Sequence, residues 1–388
     1  MLSRAQIDDI CARNPIPDIV ESYGGTLRRG TGACVICGGS KRSSRFEATD
    51  GGRGWVCAVC QDGGDVIDLV MRVERLGFNA TVERLGGALA FSPKEAARRE
   101  RVLATKRVQR EAEAATYRER ERRRCKAIWC GSLAALDSPI ETYLNAREIF
   151  DVASMRVRYS PEQPYFDGKR VIDEAEAAAL GEPRRAGKET PRLIYTGPAM
   201  LAPIVGLTGR FEGLHITWID PACSGEKAKL FDPESGEALP AKKMRGCKAG
   251  GFLDVFPGGD PARVYIGEGI ESVASVREER RDGAVYRVAG DLGNLAGPAV
   301  ATLPHPTARD EGGRPRRVPG PQPKFESEAC PIPELCVDLM LLKDGDSDPF
   351  LTDLAMLRAA ARHRCAGRRI AVADPGEGVD FNDLARAP

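Results

Sequence analysis

Two cysteine pairs constrain this chain more than any other feature: Cys34-Val-Ile-Cys37 and, after nineteen intervening residues, Cys57-Ala-Val-Cys60. Each Cys-x-x-Cys turn sets two sulfurs on one side of a cation, and the second pair completes a tetrahedron. Four thiolates without a fifth ligand describe a closed, structural Zn²⁺ site; the competing reading is two unrelated pairs of buried thiols. The N-terminus lacks an apolar leader core, and no apolar run approaches the roughly 20 residues of a membrane helix. A cytoplasmic, membrane-free protein is the expectation, in which the twelve cysteines stay reduced.

The segment between the pairs carries Lys41, Arg42, Arg45 and Trp55. Strand-like pieces over 45–48 and 54–57 would set basic and aromatic side chains on a small sheet. Such a surface suits single-stranded DNA, with phosphates paired and bases stacked. After Cys60, Gly63-Gly64 permits a tight turn and Asp65 can cap a helix. Val66, Leu69, Val70 and Val73 then recur at helical spacing.

Charge is balanced overall, with 57 Lys and Arg against 56 Asp and Glu, but not locally. From Lys94 to Arg124 there are 12 basic and 6 acidic residues, a local charge of +6. Ser92-Pro93-Lys94-Glu95 reads as a capping box with Pro at the first helical position. The run predicts a solvated linker helix whose basic face can also lie along a phosphate backbone.

The C-terminal half alternates strands and helices. Residues 263–267 read as a strand ending at Glu268-Gly269-Ile270-Glu271, with a helix from Ser272. The apolar strand 337–342 ends in Lys343-Asp344-Gly345-Asp346-Ser347-Asp348. A helix over 349–362, a strand over 368–373 and Asp380-Phe-Asn-Asp383 follow. Carboxylates at the C-terminal ends of strands occupy the ligand edge of an α/β sheet. Clustered, they are costly unless a hard cation such as Mg²⁺ or Mn²⁺ neutralises them. Position twelve counted from Asp344 is Ala355, so an EF-hand is excluded. Lys227, Lys229, Lys242, Lys243 and Arg245 precede the first of these strands; singly, each lysine reads as a solvated surface group. Residues 207–220 read as a hairpin with Gly209 and Gly213 near turns. The Pro- and Arg-rich stretch 297–333 reads as a long exposed loop, either a passive insertion or a flap touching DNA or a partner.

The stretch from Ile7 to Leu85, with PDIVESYGGTLRR, the paired ligands and GGDVIDLVMRVERLGF, resembles the zinc-binding domain of DnaG-type DNA primases and their phage relatives. That family often has Cys-x-x-His as its first pair. PAMLAPIVGLTGRFEGLHITWID, YIGEGIESVASV, DGDSD and VDFNDL resemble the Toprim proteins of phage and mobile elements. The resemblance implies Glu268 as the Toprim glutamate and Asp344 and Asp346 as its metal-binding pair, the three being the catalytic residues and the Mg²⁺ ligands. Glu271, Asp348, Asp380 and Asp383 are accessory acids, Glu271 at a spacing one residue different from the cellular enzymes. Lys242, Lys243 and Arg245, with Lys41, Arg42, Arg45 and Trp55, are the expected nucleic-acid or nucleotide contacts.

The fold expected is a multidomain α/β chain. It comprises a zinc-binding domain over 1–90, a charged helical linker over 91–130, a primase-like α+β core over 131–258 and a Toprim domain over 259–388. The implied activity is metal-dependent synthesis of RNA primers on single-stranded DNA from nucleoside triphosphates, with Glu268 as candidate base for the primer 3′-hydroxyl. No P-loop sequence GxxxxGK[ST] is present, so a replicative helicase would be a separate partner. The rival readings are a Toprim nuclease or nicking enzyme, and an inactive DNA-binding replication subunit.

Overall fold

A computed structural model describes residues 4–38, 46–60, 62–86, 93–171, 173–175, 187–222, 224–309, 313 and 315–387. The chain forms two compact units, one of 1–116 with the short segments 168–192 and 309–314, the other of the remainder.

The first unit opens with helices α1 (Arg4–Arg13) and α2 (Ile16–Ser22). A five-stranded antiparallel sheet follows in chain order: β1 (Leu27–Arg28), β2 (Thr31–Gly32), β3 (Phe46–Thr49), β4 (Gly54–Cys57) and β5 (Asp62–Asp65). Asp65 then caps α3 (Val66–Glu74) in a reciprocal box with Asp68, as the sequence leads one to expect. With α4 (Phe78–Arg84), these elements enclose a core of Ile10, Ile16, Val20, Phe46, Trp55, Val66, Leu69 and Val70. Helix α5 (Pro93–Gly131) covers the charge run; Ser92, its expected cap, lies outside the described residues.

The second unit is built on one ten-stranded sheet. Its antiparallel part comprises β6 (Leu133–Ala134), β7 (Arg158–Val171), β8 (Glu189–Val205), β9 (Phe211–Trp218) and β12 (Lys242–Gly246). Helix α6 (Pro139–Asn145) lies between β6 and β7, and a small hairpin of β10 (Leu230–Phe231) and β11 (Ala238–Leu239) precedes β12. The two-residue β13 (Phe252–Leu253) pairs with β8 on one side and β15 (Ala284–Val288) on the other. Beyond it, β15, β14 (Asp260–Gly267), β18 (Asp338–Leu342) and β19 (Arg369–Ala373) run parallel. Helix α7 (Ile270–Arg280) connects β14 to β15, and α9 (Pro349–His363) connects β18 to β19. Short α8 (Leu292–Ala296) follows β15, and α10 (Phe381–Arg386) closes the described chain. Parallel strands require such helical crossovers, which bury both faces of the sheet.

Two expectations change. Gly213 is not at a turn: it lies inside β9 opposite Gly246, and a Cβ there would sit 2.0 Å from the Arg245 carbonyl oxygen. The stretch 297–333 is not a featureless loop. It contains a hairpin of β16 (Thr302–Arg309) and β17 (Pro315–Pro319). Arg358 of α9 holds its base by donating to the carbonyls of Gly297 (2.8 Å) and Gly320 (2.6 Å).

Candidate active site

Within the first unit, the sulfurs of Cys34, Cys37, Cys57 and Cys60 all lie within 4.8 Å of one another. Cys34 and Cys60 are 3.6 Å apart, and Cys37 and Cys57 3.9 Å. The backbone N–H of Ile36 points at the Cys34 sulfur (3.4 Å) and that of Cys60 at the Cys57 sulfur (3.3 Å). Without a cation, burial and the neighbouring thiols push the Cys60 thiol up. A bound Zn²⁺ reverses that balance and holds the sulfurs as thiolates. Four convergent sulfurs with inward N–H donors fit a structural Zn²⁺.

Trp55 is not a base-stacking platform. It is 1% exposed, stacks on Phe46 at 5.5 Å, and donates its indole N–H to the Asp65 carbonyl. It shares the inward face of β4 with Cys57, two residues on. Lys41, Arg42 and Arg45 lie outside the described residues.

In the second unit, β14 and β18 are adjacent and parallel, so their C-terminal ends deliver Glu268 and the 344–348 loop to one edge. Gly345 lets that loop lie against 376–379; a Cβ on it would be 2.1 Å from the Gly376 carbonyl oxygen and 2.2 Å from that of Val379. The contact brings up Asp380, which caps α10 in a reciprocal box with Asp383. Carboxylate oxygens of Asp344, Asp346 and Asp380 consequently lie within 4.8 Å of one another.

Glu268 lines the same cavity of about 140 Å³ as these three acids. Its Oε2 is buried and has no hydrogen-bond partner. Burial pushes its carboxyl up, with Lys242 opposing and Asp346 adding. Burial, then Asp346 and Glu268, push Asp344 up to about 7. An orphaned buried carboxylate oxygen beside mutually repelling acids fits a hard divalent cation such as Mg²⁺ or Mn²⁺.

Of the remaining expected residues, Glu271 and Lys242 line the same cavity, and the others are placed elsewhere. Glu271 belongs to no acid cluster: it is 5% exposed and accepts hydrogen bonds from Tyr143 (2.6 Å) and Lys242 (3.2 Å), with the Lys227 ammonium 3.3 Å away. Asp348 caps α9 and meets His305 Nε2 at 3.1 Å. Asp383 serves the α10 cap rather than the acid cluster. Lys243 donates to Asp167 (2.7 Å), and Arg245 to Glu121 of α5 through both Nε (2.8 Å) and an Nη (2.6 Å). Tyr143 and Ser272 carry no sequence signal for a role here; Lys227 reads as a solvated lysine yet lines the cavity.

Comparison with known proteins agrees with the zinc centre. Residues 2–100 match the CHC2 zinc finger family, the zinc ribbon of DnaG. Residues 119–254 match a domain of unknown function, DUF7146. Among solved structures, the zinc-binding and RNA polymerase domains of the Aquifex aeolicus primase are similar at 13% identity, with a TM-score of 0.35, covering 100% of this chain and 82% of that one. A DnaG primase catalytic domain bound to ssDNA is similar at 12% identity, with a TM-score of 0.41, covering 70% of this chain and 78% of that one. A DNA primase domain from Pseudomonas aeruginosa gives 13% identity and a TM-score of 0.37, covering 68% and 73%. No curated protein matches the chain. No helix among the described residues is long and apolar enough to cross a membrane.

Proposed function

We propose that this chain is a primase-type nucleotidyltransferase that makes short RNA primers on single-stranded DNA. The observation that carries this reading is the convergence of Glu268, Asp344, Asp346 and Asp380 on one cavity at the edge of a parallel sheet, in a chain that opens with a CHC2 zinc finger. Asp344, Asp346 and Asp380 would hold Mg²⁺, with Glu268 lining the same cavity. When bound, such a cation neutralises phosphate charge and lowers the pKa of a coordinated hydroxyl.

The chain's own groups do the rest. Glu268, whose carboxyl burial makes a stronger proton acceptor, takes the proton of the attacking 3′-hydroxyl. Lys227 and Lys242 supply positive charge in the same cavity. The zinc finger gives a rigid platform for the template, and a separate helicase would deliver it. In this reading 1–90 is the zinc-binding domain, 91–130 the linker, 131–258 the core and 259–388 the Toprim domain.

The test uses purified protein, unprimed single-stranded DNA, labelled nucleoside triphosphates and Mg²⁺ or Mn²⁺. Short labelled products that vanish in Asp344→Ala/Asp346→Ala are expected. Shortening of the DNA without synthesis would reassign the same acids to nuclease chemistry. Silence in both assays would leave a DNA-binding subunit.

A further inference from the structure

We propose that Glu271 is a positioning residue that fixes Lys227 and Lys242 as a cationic pair on the wall of the acid-lined cavity, where the pair receives the polyphosphate of the incoming nucleotide. The inference rests on the primer-synthesis reading for the identity of that ligand, and on geometry for the rest.

Four separate parts of the chain meet at this carboxylate. Tyr143 comes from α6, Lys227 from the segment after β9, Lys242 from the start of β12 and Glu271 from the first turn of α7. Tyr143 donates to Oε1 (2.6 Å), on which the Lys227 ammonium also bears (3.3 Å), and Lys242 donates to Oε2 (3.2 Å). Both carboxylate oxygens are therefore engaged, which is the condition for burying such a charge.

Exposure shows which way the cluster faces. The Glu271 side chain is 6% exposed, whereas those of Lys227 and Lys242 are 36% and 37% exposed. The anion is sealed behind its cations, and the cations reach the opening. Both lysines line the same cavity as Glu268, Asp344, Asp346 and Asp380. Two ammoniums against one carboxylate leave one positive charge beyond Glu271, in the cavity that the acids line. A polyphosphate bridging a cation on the acids and ammoniums opposite has the charge distribution that fits between them.

Ammoniums bearing on one carboxylate repel each other once that carboxylate is gone. Glu271, which also lines the cavity but is nearly covered, thus serves binding through the more exposed lysines. Consistent with this, burial would raise its carboxyl, but Lys242, Lys227 and the Tyr143 hydroxyl hold it well below the usual range.

The test measures binding of inorganic tripolyphosphate with Mg²⁺ by calorimetry on the full chain, and KM against kcat for nucleoside triphosphates in parallel. Glu271→Gln is expected to weaken tripolyphosphate binding about tenfold, the scale of one charge-assisted hydrogen bond, and to raise KM more than it lowers kcat. In a Lys227→Met/Lys242→Met background, adding Glu271→Gln is expected to change affinity no further. Glu271→Met/Lys227→Met keeps the local charge at +1 while removing the anchor, so it too should lose about tenfold; it serves if Glu271→Gln does not fold. Unchanged affinity in either variant, or no tripolyphosphate binding by the wild-type chain, overturns the proposal. Anchor-dependent binding without primer synthesis would overturn the functional reading and leave the positioning role standing.

Discussion

The Ser272 hydroxyl donates a hydrogen bond to Asp380 Oδ2 at 3.1 Å, joining the first turn of α7 to the cap of the last described helix. The other oxygen, Oδ1, accepts the Asp383 backbone N–H at 2.7 Å. One carboxylate thereby caps a helix, accepts from a neighbouring helix and stands among the clustered acids.

Asp380→Asn is expected to lower Mn²⁺ affinity about tenfold, measured by paramagnetic titration, because one anionic oxygen leaves the cluster. Asparagine still caps helices, so thermal stability should fall by less than about 1 kcal/mol. An unchanged Mn²⁺ affinity would remove Asp380 from the site.

Gly345→Ala tests how the acids are brought together. Its Cβ would fall 2.1 Å from the Gly376 carbonyl oxygen, so the 344–348 loop must separate from 376–379. Loss of Mn²⁺ binding comparable to Asp344→Ala is expected, with a folded far-ultraviolet spectrum. Retained binding would show that the two loops are not coupled.

Cys34→Ser and Cys57→Ser each leave three sulfurs around the zinc centre. Zinc content by atomic absorption should fall from about one ion per chain toward zero, since a structural site needs its full set of four ligands. The first unit, whose strands carry Cys57 and flank the other ligands, should then become protease-sensitive. Full zinc retention in either variant would refute the ligand assignment.

Stability should fall on mild acidification, and His215 sets part of the slope. Burial, with Lys242 adding, pulls its imidazole down to about 4 from an ordinary 6.5. Above about pH 6.5 it is neutral in both folded and unfolded chains, and its contribution is fully present. As the pH falls toward 4 the unfolded chain takes up a proton that the folded chain does not, so stability is lost across that window. The loss reaches at most about 3 kcal/mol. Denaturant titrations at pH 7 and pH 5 should show a smaller loss in His215→Gln than in wild type; equal losses would show that His215 titrates normally.

Much of the site was legible because its chemistry is written in short spacings. The four cysteines stand in two tight turns, and Asp344 and Asp346 follow an apolar strand directly. Asp380 was legible only as an acid near the end of the chain, since what brings it to the cluster is the contact of Gly345 with a loop 30 residues away. Glu271, expected as an accessory acid, lines the cavity but is held by lysines. Three residues beyond Glu268, it lies on the first turn of α7, and only the tertiary positions of Tyr143, Lys227 and Lys242 show that it bears on lysines instead of joining the clustered aspartates. Trp55 was misplaced for want of one step. Strand alternation puts it on the same face as Cys57, and a face that carries a buried zinc ligand is an inward face. The hairpin in 297–333 has no period-2 apolar pattern, and its base is held by Arg358 of a helix that follows it in the chain.

Strand β13 has two residues, yet it is the stitch between the antiparallel strands that carry the lysines and the parallel strands that carry the acids. A fragment ending before Phe252 would inherit cations without their counterweight. One beginning after Leu253 would inherit a cluster of mutually repelling acids without the ammoniums opposite. The second unit of this protein is for that reason not divisible at the point where its sequence character changes, and attempts to express it in pieces will succeed only where the cut leaves this stitch intact.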